Sequence, residues 1–335
     1  MYKNNIYIFV ITLGLLSACG GGNSSTYTGS SGGDTNSTTK DTIAPVISIK
    51  GKNPKYRALG SGYVDEGASA KDKVDGIVEV TMTGTVNTDT VGIYEIIYTA
   101  KDKAGNEAKA IRKVIVENIT HHGIRYGIVT SPITGKIWLN KNIGAAYPCS
   151  KDKYESDNAC EGDFFQWGRN IDGHEDSISG TRTKKVSGLQ SSDGKFVIGN
   201  ADWSTSEHRG ANWSKTDGSS VCPVGFRVPT IQEFKAELPK EHTTDSLSFL
   251  KTPWGRSRTI SGQNFDTSSD MAGGRGGMWT TTVTGIVEET YVSKNGESQY
   301  IRAAGTYILL GSKLFDFASK EKLRAHGYYV RCIRP

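Results

Sequence analysis

The sequence predicts a multidomain chain of short strands and turns, an all-β sandwich followed by a larger α+β domain with small sheets and long loops. Three observations carry this. The 335 residues suffice for about two domains. With 40 Gly, 15 Tyr and 6 Trp against 4 Met, the composition favours strands and turns over long helices. Between residues 46 and 116, runs rich in β-branched residues recur, divided by Gly and Asp, which is the pattern of a small sandwich. The net charge of +5 is dispersed along the chain, so no basic stripe marks a nucleic-acid surface.

The first element is a leader. Lys3 is followed by the apolar stretch Ile6 to Leu16 and then by the small residues Ser17 and Ala18, the layout of an export signal. That stretch is too short for a transmembrane helix, which needs about 20 residues. Leu16-Ser17-Ala18-Cys19 resembles the lipobox of bacterial lipoproteins. The resemblance implies a signal peptide over 1–18, cleavage before Cys19, and a diacylated Cys19 that holds the mature protein to a membrane. Gly20 rather than Asp after Cys19 suggests transit to the outer membrane. Residues 19–42 are Gly, Ser, Thr and Asn with almost no apolar side chains, so they cannot offset their ordering entropy and read as a disordered tether. Its r.m.s. span as a flexible chain is roughly 25 to 30 Å.

Val46-Ile47-Ser48-Ile49, Ile77-Val78-Glu79-Val80, Tyr94 to Tyr98 and Ile111 to Val116 read as strands. Within them, Tyr63-Val64-Asp65-Glu66-Gly67-Ala68, Asp72-Lys73-Val74-Asp75-Gly76, Gly92-Ile93-Tyr94 and Tyr98 to Asn106 resemble bacterial Ig-like domains of the hyalin-repeat type. The resemblance covers 43–118 and implies a stalk module of a secreted or surface protein. Asp65, Asp72, Asp75 and Asp102 raise the question of calcium, because hard cations gather carboxylate oxygens. Asp-Gly and Asp-x-x-Gly-Asn are also turn chemistry, and that reading is preferred, with no metal assigned. Residues 119–124, with the adjacent His121 and His122, read as a solvated linker, since neighbouring strand residues face opposite ways and do not ligate one ion together.

The last domain, 125–335, holds the remaining cysteines and every Trp. Gly135 to Ala145 with Trp138, Phe164-Phe165-Gln166-Trp167-Gly168-Arg169, Val221-Cys222-Pro223-Val224-Gly225-Phe226-Arg227-Val228-Pro229-Thr230 and Val330-Arg331-Cys332 occur in that order. Together they resemble the Fibrobacter succinogenes major paralogous domain, with Phe226 where Trp is usual. The resemblance implies a C-type-lectin-like fold with few helices, long loops and its two ends brought together. Thr230 and Glu233 form a capping box for a helix running to about Leu238 and stopped by Pro239. Met278 to Val283, Tyr307 to Leu310 and Tyr328 to Cys332 read as strands.

If Cys19 carries lipid, Cys149, Cys160, Cys222 and Cys332 remain, and export favours disulfides. Four cysteines allow three pairings. The lectin-like resemblance implies Cys222 with Cys332, which leaves Cys149 with Cys160. There is no Cys-x-x-Cys and no Ser/His/Asp, Cys/His or metal constellation, so neither enzyme nor cofactor is expected. His174-Glu175-Asp176 is the one acid–base cluster and reads as a solvated loop. The Glu-Pro-Asn and Trp-Asn-Asp triplets of calcium-dependent lectins are absent. Trp138 and Trp167 read as core, whereas Trp203, Trp213 and Trp254 lie in polar stretches and are candidates for an exposed binding face. The functional expectation is a membrane-anchored envelope lipoprotein that binds a glycan or a protein through its head. The alternatives are a structural envelope protein contacting a partner in the same membrane, and an oxidase of the formylglycine-generating type.

Overall fold

In a computed structural model, described residues are 40–149, 158–207, 209–237, 248–250, 256–266, 276–292, 298–311 and 318–335. Cys19, the signal segment and Trp254 lie outside them, as does almost all of the tether. Residues Ile43–Pro335 form one compact unit. The regular structure of the described residues is mostly strand, and none of their helices is long and apolar enough to cross a membrane.

The first part is a sandwich. One sheet has the order β1 (Val46–Ile49), β3 (Ala68–Asp72), β4 (Gly76–Val78), all antiparallel. The other has the order β2 (Lys55–Ala58), β7 (Glu107–Glu117), β6 (Gly92–Lys101), β5 (Val80–Thr83), with β2 parallel to β7. Alternation decides which side is buried: Ile96, Tyr98, Val114 and Val116 face inward and Ile93, Glu95 and Lys113 outward. Arg112 falls on the inner face of β7 and is 1% exposed. Its Nε donates to Tyr98 Oη at 2.9 Å and pairs with Asp65 at 3.0 Å, and its Nη atoms donate to the carbonyls of Lys50, Lys52 and Gly67. A charge buried this deeply is tolerable because every polar neighbour is an acceptor or its counter-ion.

The segment read as a solvated linker is instead a hairpin. β8 (Ile119–His121) pairs with β9 (Ile124–Tyr126) across a two-residue turn in which His122 has φ 46° and Gly123 φ 77°. Positive φ at both turn residues matches the right-handed twist of the flanking strands. The partners Ile119 and Tyr126 enter the core of the second part, so burial of their side chains overrides the polar look of the joint. Arg334, next to the last residue, crosses this joint. It pairs with Glu117 at 2.5 Å and stacks over Tyr56 at 4.3 Å and Phe226 at 4.7 Å.

The second part begins with the hairpin β10 (Ile128–Thr130) and β11 (Ile137–Leu139). Between its short elements lie β12 (Phe165–Gln166), β13 (Thr181–Arg182) parallel to β14 (Phe196–Val197), α1 (Arg209–Trp213) and α2 (Ile231–Ala236). α2 has the capping box Thr230/Glu233 and ends at the C-cap Glu237. β15 (Arg256–Arg258) and β16 (Asn264–Asp266) follow, then the long hairpin β17 (Gly276–Val292) and β18 (Ser298–Gly311), extended by β19 (Ala318–Leu323). β20 (Gly327–Tyr328) sits inside the four-stranded sheet β12-β20-β15-β16. The chain end read as one closing strand makes a ladder only at β20. Beyond it Tyr329 bridges Met278, and Ile333 bridges both Trp138 and Arg227. Leu139 N–H donates to the Cys332 carbonyl at 3.0 Å, so the start and end of this part lie side by side.

Candidate functional site

Two disulfides are present. Cys222–Cys332, with Cα atoms 6.0 Å apart, joins the Cys-Pro loop to the final segment inside the main core. Cys149–Cys160 closes a loop with a sequence separation of 11. All four sulfurs are thus oxidised, and a thiol pair for copper is not available from them.

The expected exposure of Trp203 and Trp213 is overturned, since both are 0% exposed. Trp203 packs with Val186, Val197, Ile260 and Leu323, and its Nε1–H donates to the Trp167 carbonyl at 2.7 Å. Trp213, at the end of α1, joins the main core beside Trp167 and donates to the Arg169 carbonyl at 3.2 Å. The polar flanks of these residues suggested loops, and loops they are. But an indole is the largest apolar surface such a segment can bury, and its single donor is easily met by a carbonyl. Trp138 and Trp167 are in the core, as read.

Around these rings lies an arrangement the sequence did not reveal. Arg209 stacks between Trp167 and Trp203 at 5.8 and 5.5 Å, Arg169 lies over Trp203 at 5.2 Å, and Arg324 over Trp167 at 4.6 Å. Asp202 takes the Arg209 guanidinium bidentately and lies 3.7 Å from Arg324. Arg169 sits in the Gln-Trp-Gly-Arg phrase and was legible as part of a motif. Nothing in the local sequence linked it to Arg209 and Arg324.

The acid–base cluster is not a solvated loop. His174 is 0% exposed, and its Nδ1 lies 2.8 Å from Asp172 Oδ1 and 3.1 Å from Glu175 Oε2. Its Nε2 accepts the Gln166 backbone N–H at 3.2 Å. Asp172 also accepts from Arg169 Nε at 2.9 Å and from the Ser191 amide at 2.6 Å. Burial would raise the Asp172 carboxyl, but the His174 hydrogen bond and the Arg169 charge outweigh it and lower it to about 2. Glu175 is likewise lowered, burial being outweighed by its bond to His174.

Asp172, His174 and Glu175 place their ligand atoms within 4.8 Å of one another. The set nevertheless does not suit a metal at Nδ1, because a metal-bound imidazole donates from its other nitrogen. Here that nitrogen accepts a backbone amide, so the ring keeps its proton on Nδ1 between two carboxylates. The trio latches the 172–175 turn onto β12, with both ring nitrogens engaged. Beside it, burial and the neighbouring Glu175 and Asp176 push the Asp163 carboxyl up to about 7.

In the sandwich the four aspartates serve turns and a buried pair. Asp65 accepts from Tyr98 Oη at 2.5 Å and the Gly67 amide at 2.7 Å beside Arg112. Asp72 accepts the amides of Val74 and Asp75, Asp75 the amide of Lys103, and Asp102 the amide of Asn106.

Comparison with known proteins assigns part of the chain. Residues 47–116, the sandwich, match the family described as Bacterial surface protein, Ig-like domain. No curated protein matches this chain. Among solved structures, a lipoprotein of Bacteroides thetaiotaomicron is 22% identical, with 28% of this chain and 54% of that one covered and a TM-score of 0.22. A Clostridium perfringens ZmpB structure, of CBM51-2 in complex with GlcNAc and INT domains, is 16% identical, with 32% and 24% covered and a TM-score of 0.19. The chain therefore spans about half of the first and a quarter of the second, and likenesses this low carry no argument.

Proposed function

We propose that this chain is a lipid-anchored cell-envelope protein whose Ig-like domain holds a lectin-like head outward to bind a glycan or a protein partner. The observation that carries the reading is the packed joint. Ile119 and Tyr126 lie in the head's core, and Arg334 is clamped by Glu117, Tyr56 and Phe226, so the Ig-like domain and the head meet through packed side chains rather than a free linker. A stiff spacer suits presentation of a binding surface, because a rigid scaffold spares a binding loop part of its ordering cost. The engaged ring of His174 also favours binding over acid–base catalysis, which needs a nitrogen free to meet a substrate proton. With Trp203 and Trp213 in the core, those two rings do not form the contact surface. The cysteine at position 19 supplies the anchor, and Gly20 directs it toward the outer membrane.

The test is a glycan-array and cell-surface binding screen with the full mature protein, together with protease shaving of intact cells. Saturable binding to a defined glycan or protein, with loss of the head on shaving, supports the reading. Silence on the array and on cells refutes the binding role. Retention of the head after shaving refutes its outward placement.

A further inference from the structure

We infer that the Ig-like domain binds a calcium ion between the β3–β4 turn and the β6–β7 turn, with Asp72 and Asp102 as the carboxylate ligands. Turn chemistry accounts for only part of what these residues do. Asp72 is 3% exposed and Asp102 6% exposed. Their carboxylate oxygens lie within 4.8 Å of each other. Asp72 spends Oδ1 on the amides of Val74 and Asp75 at 2.7 and 2.9 Å, whereas its Oδ2 is buried and has no hydrogen-bond partner. Asp102 is met by the Asn106 amide and side chain, both at 2.7 Å, which are neutral donors. Among the described residues neither carboxylate has an ion-pair partner; the Lys103 ammonium reaches Asp75 instead, at 3.6 Å.

Two buried carboxylates side by side without a cation are an unstable arrangement, because buried charges are paired or coordinate metals. At Asp72 the two amides occupy Oδ1 and leave the buried Oδ2 without a partner, next to the carboxylate of Asp102, so the geometry points to a cation between them. The donors are all oxygen, which selects a hard ion, and they sit on turns, which suits the variable geometry of calcium better than the strict octahedron of magnesium. The Ile43 carbonyl, 3.4 Å from the same Asn106 amide that meets Asp102, adds a neutral oxygen at this place. Two carboxylates make a weak site, of the about 10⁻⁴ to 10⁻³ M class found in extracellular modules. The ion would join the two sheets of the sandwich at the end away from the head, since β6–β7 turns there and Glu117 leads to the head. The Asp75–Lys103 hydrogen bond at 2.8 Å already brings the same two turns together.

Calcium titration of the full mature protein by calorimetry, with thermal melts in EDTA, calcium and magnesium, tests this. Calcium should bind in that range and raise the melting temperature, EDTA should reverse the rise, and magnesium at equal concentration should reproduce little of it. Asp102→Asn should weaken calcium binding about tenfold or more. Asp72→Asn keeps an Oδ1 acceptor for the Val74 and Asp75 amides but removes a carboxylate ligand, so its melting temperature should no longer respond to calcium. Absence of calcium heat and of any melting shift up to about 10 mM, ten times the weak end of the class, overturns the site. So does an equal response to magnesium, or an Asp72→Asn protein whose melting temperature rises with calcium as much as the parent's.

Discussion

Replacing Asp163 by Asn should stabilise the head above neutral pH and leave it unchanged in acid. Asp163 sits against the Gly144 backbone, where a Cβ would lie 1.9 Å from its Oδ2, and beside the carboxylates of Glu175 and Asp176. Burial is the first cause and those two charges the next, and together they push the carboxyl from 3.8 to about 7. The folded state therefore holds this proton more tightly than the unfolded chain does. The stability so contributed is full below 3.8 and is lost as pH rises through 7. At about 1.36 kcal/mol per pH unit the interval corresponds to about 4 kcal/mol at pH 8, and partial solvent access reduces this to about 2 kcal/mol. Asn keeps the shape and sheds the charge. For a domain of this size the gain corresponds to roughly 4 to 8 °C in melting temperature at pH 8. Thermal melts at pH 4, 6 and 8 on parent and variant give the difference directly. Equal melting temperatures at pH 8, or a gain of the same size at pH 4, would show that the Asp163 charge is not what burial and its neighbours oppose.

His121 should act in the opposite sense over part of the same range. Burial, then the charge of His122, lowers it from 6.5 to about 4, so its contribution is present above 6.5 and lost as pH falls through 4. His121→Gln should flatten the acid limb of the stability curve by about 1 to 2 kcal/mol, read from urea unfolding at pH 4 and 7. Trp203→Ala should cost about 3 to 5 kcal/mol, since the ring is wholly buried and its N–H is bonded, and a variant with unaltered urea midpoint would contradict its core position. Cys222→Ser with Cys332→Ser removes a link of sequence separation 110 and should cost about 4 to 5 kcal/mol, against roughly 3 for the Cys149–Cys160 loop of separation 11. Thiol titration of the denatured, unreduced protein should find no free thiol among these four.

Much of the sandwich, and α2 in the second part, was legible because the signals there are local. Strands β1, β6 and β7 follow from β-branched alternation, and α2 from a capping box in which Thr230 and Glu233 satisfy each other's backbone. The joint was misread because His121, His122 and Gly123 look solvated, and only the pairing of Ile119 with Tyr126 shows that the hairpin has a core to enter. The same holds for Trp203 and Trp213. A polar stretch announces a loop, but whether the loop's one aromatic points out or in depends on what lies beneath it. For Trp203 that is Val186, Ile260 and Leu323, far away in the chain.

The latch at His174 is set by residues outside its own segment. Three consecutive polar residues are consistent with solvent, catalysis or a metal. The choice rests on Gln166, whose amide occupies Nε2, and on Arg169, which balances Asp172.

By itself the amino-acid sequence determined the charge–apolar–small pattern ahead of Cys19, the strand-rich composition, the Ig-like phrases and the supply of four further cysteines, because these depend on residue type and near-neighbour spacing. Tertiary structure alone decided which tryptophans are covered, which carboxylates are paired and which, like Asp72 Oδ2, are stranded. Those outcomes depend on desolvation by residues distant in the chain, and desolvation has no local period to read.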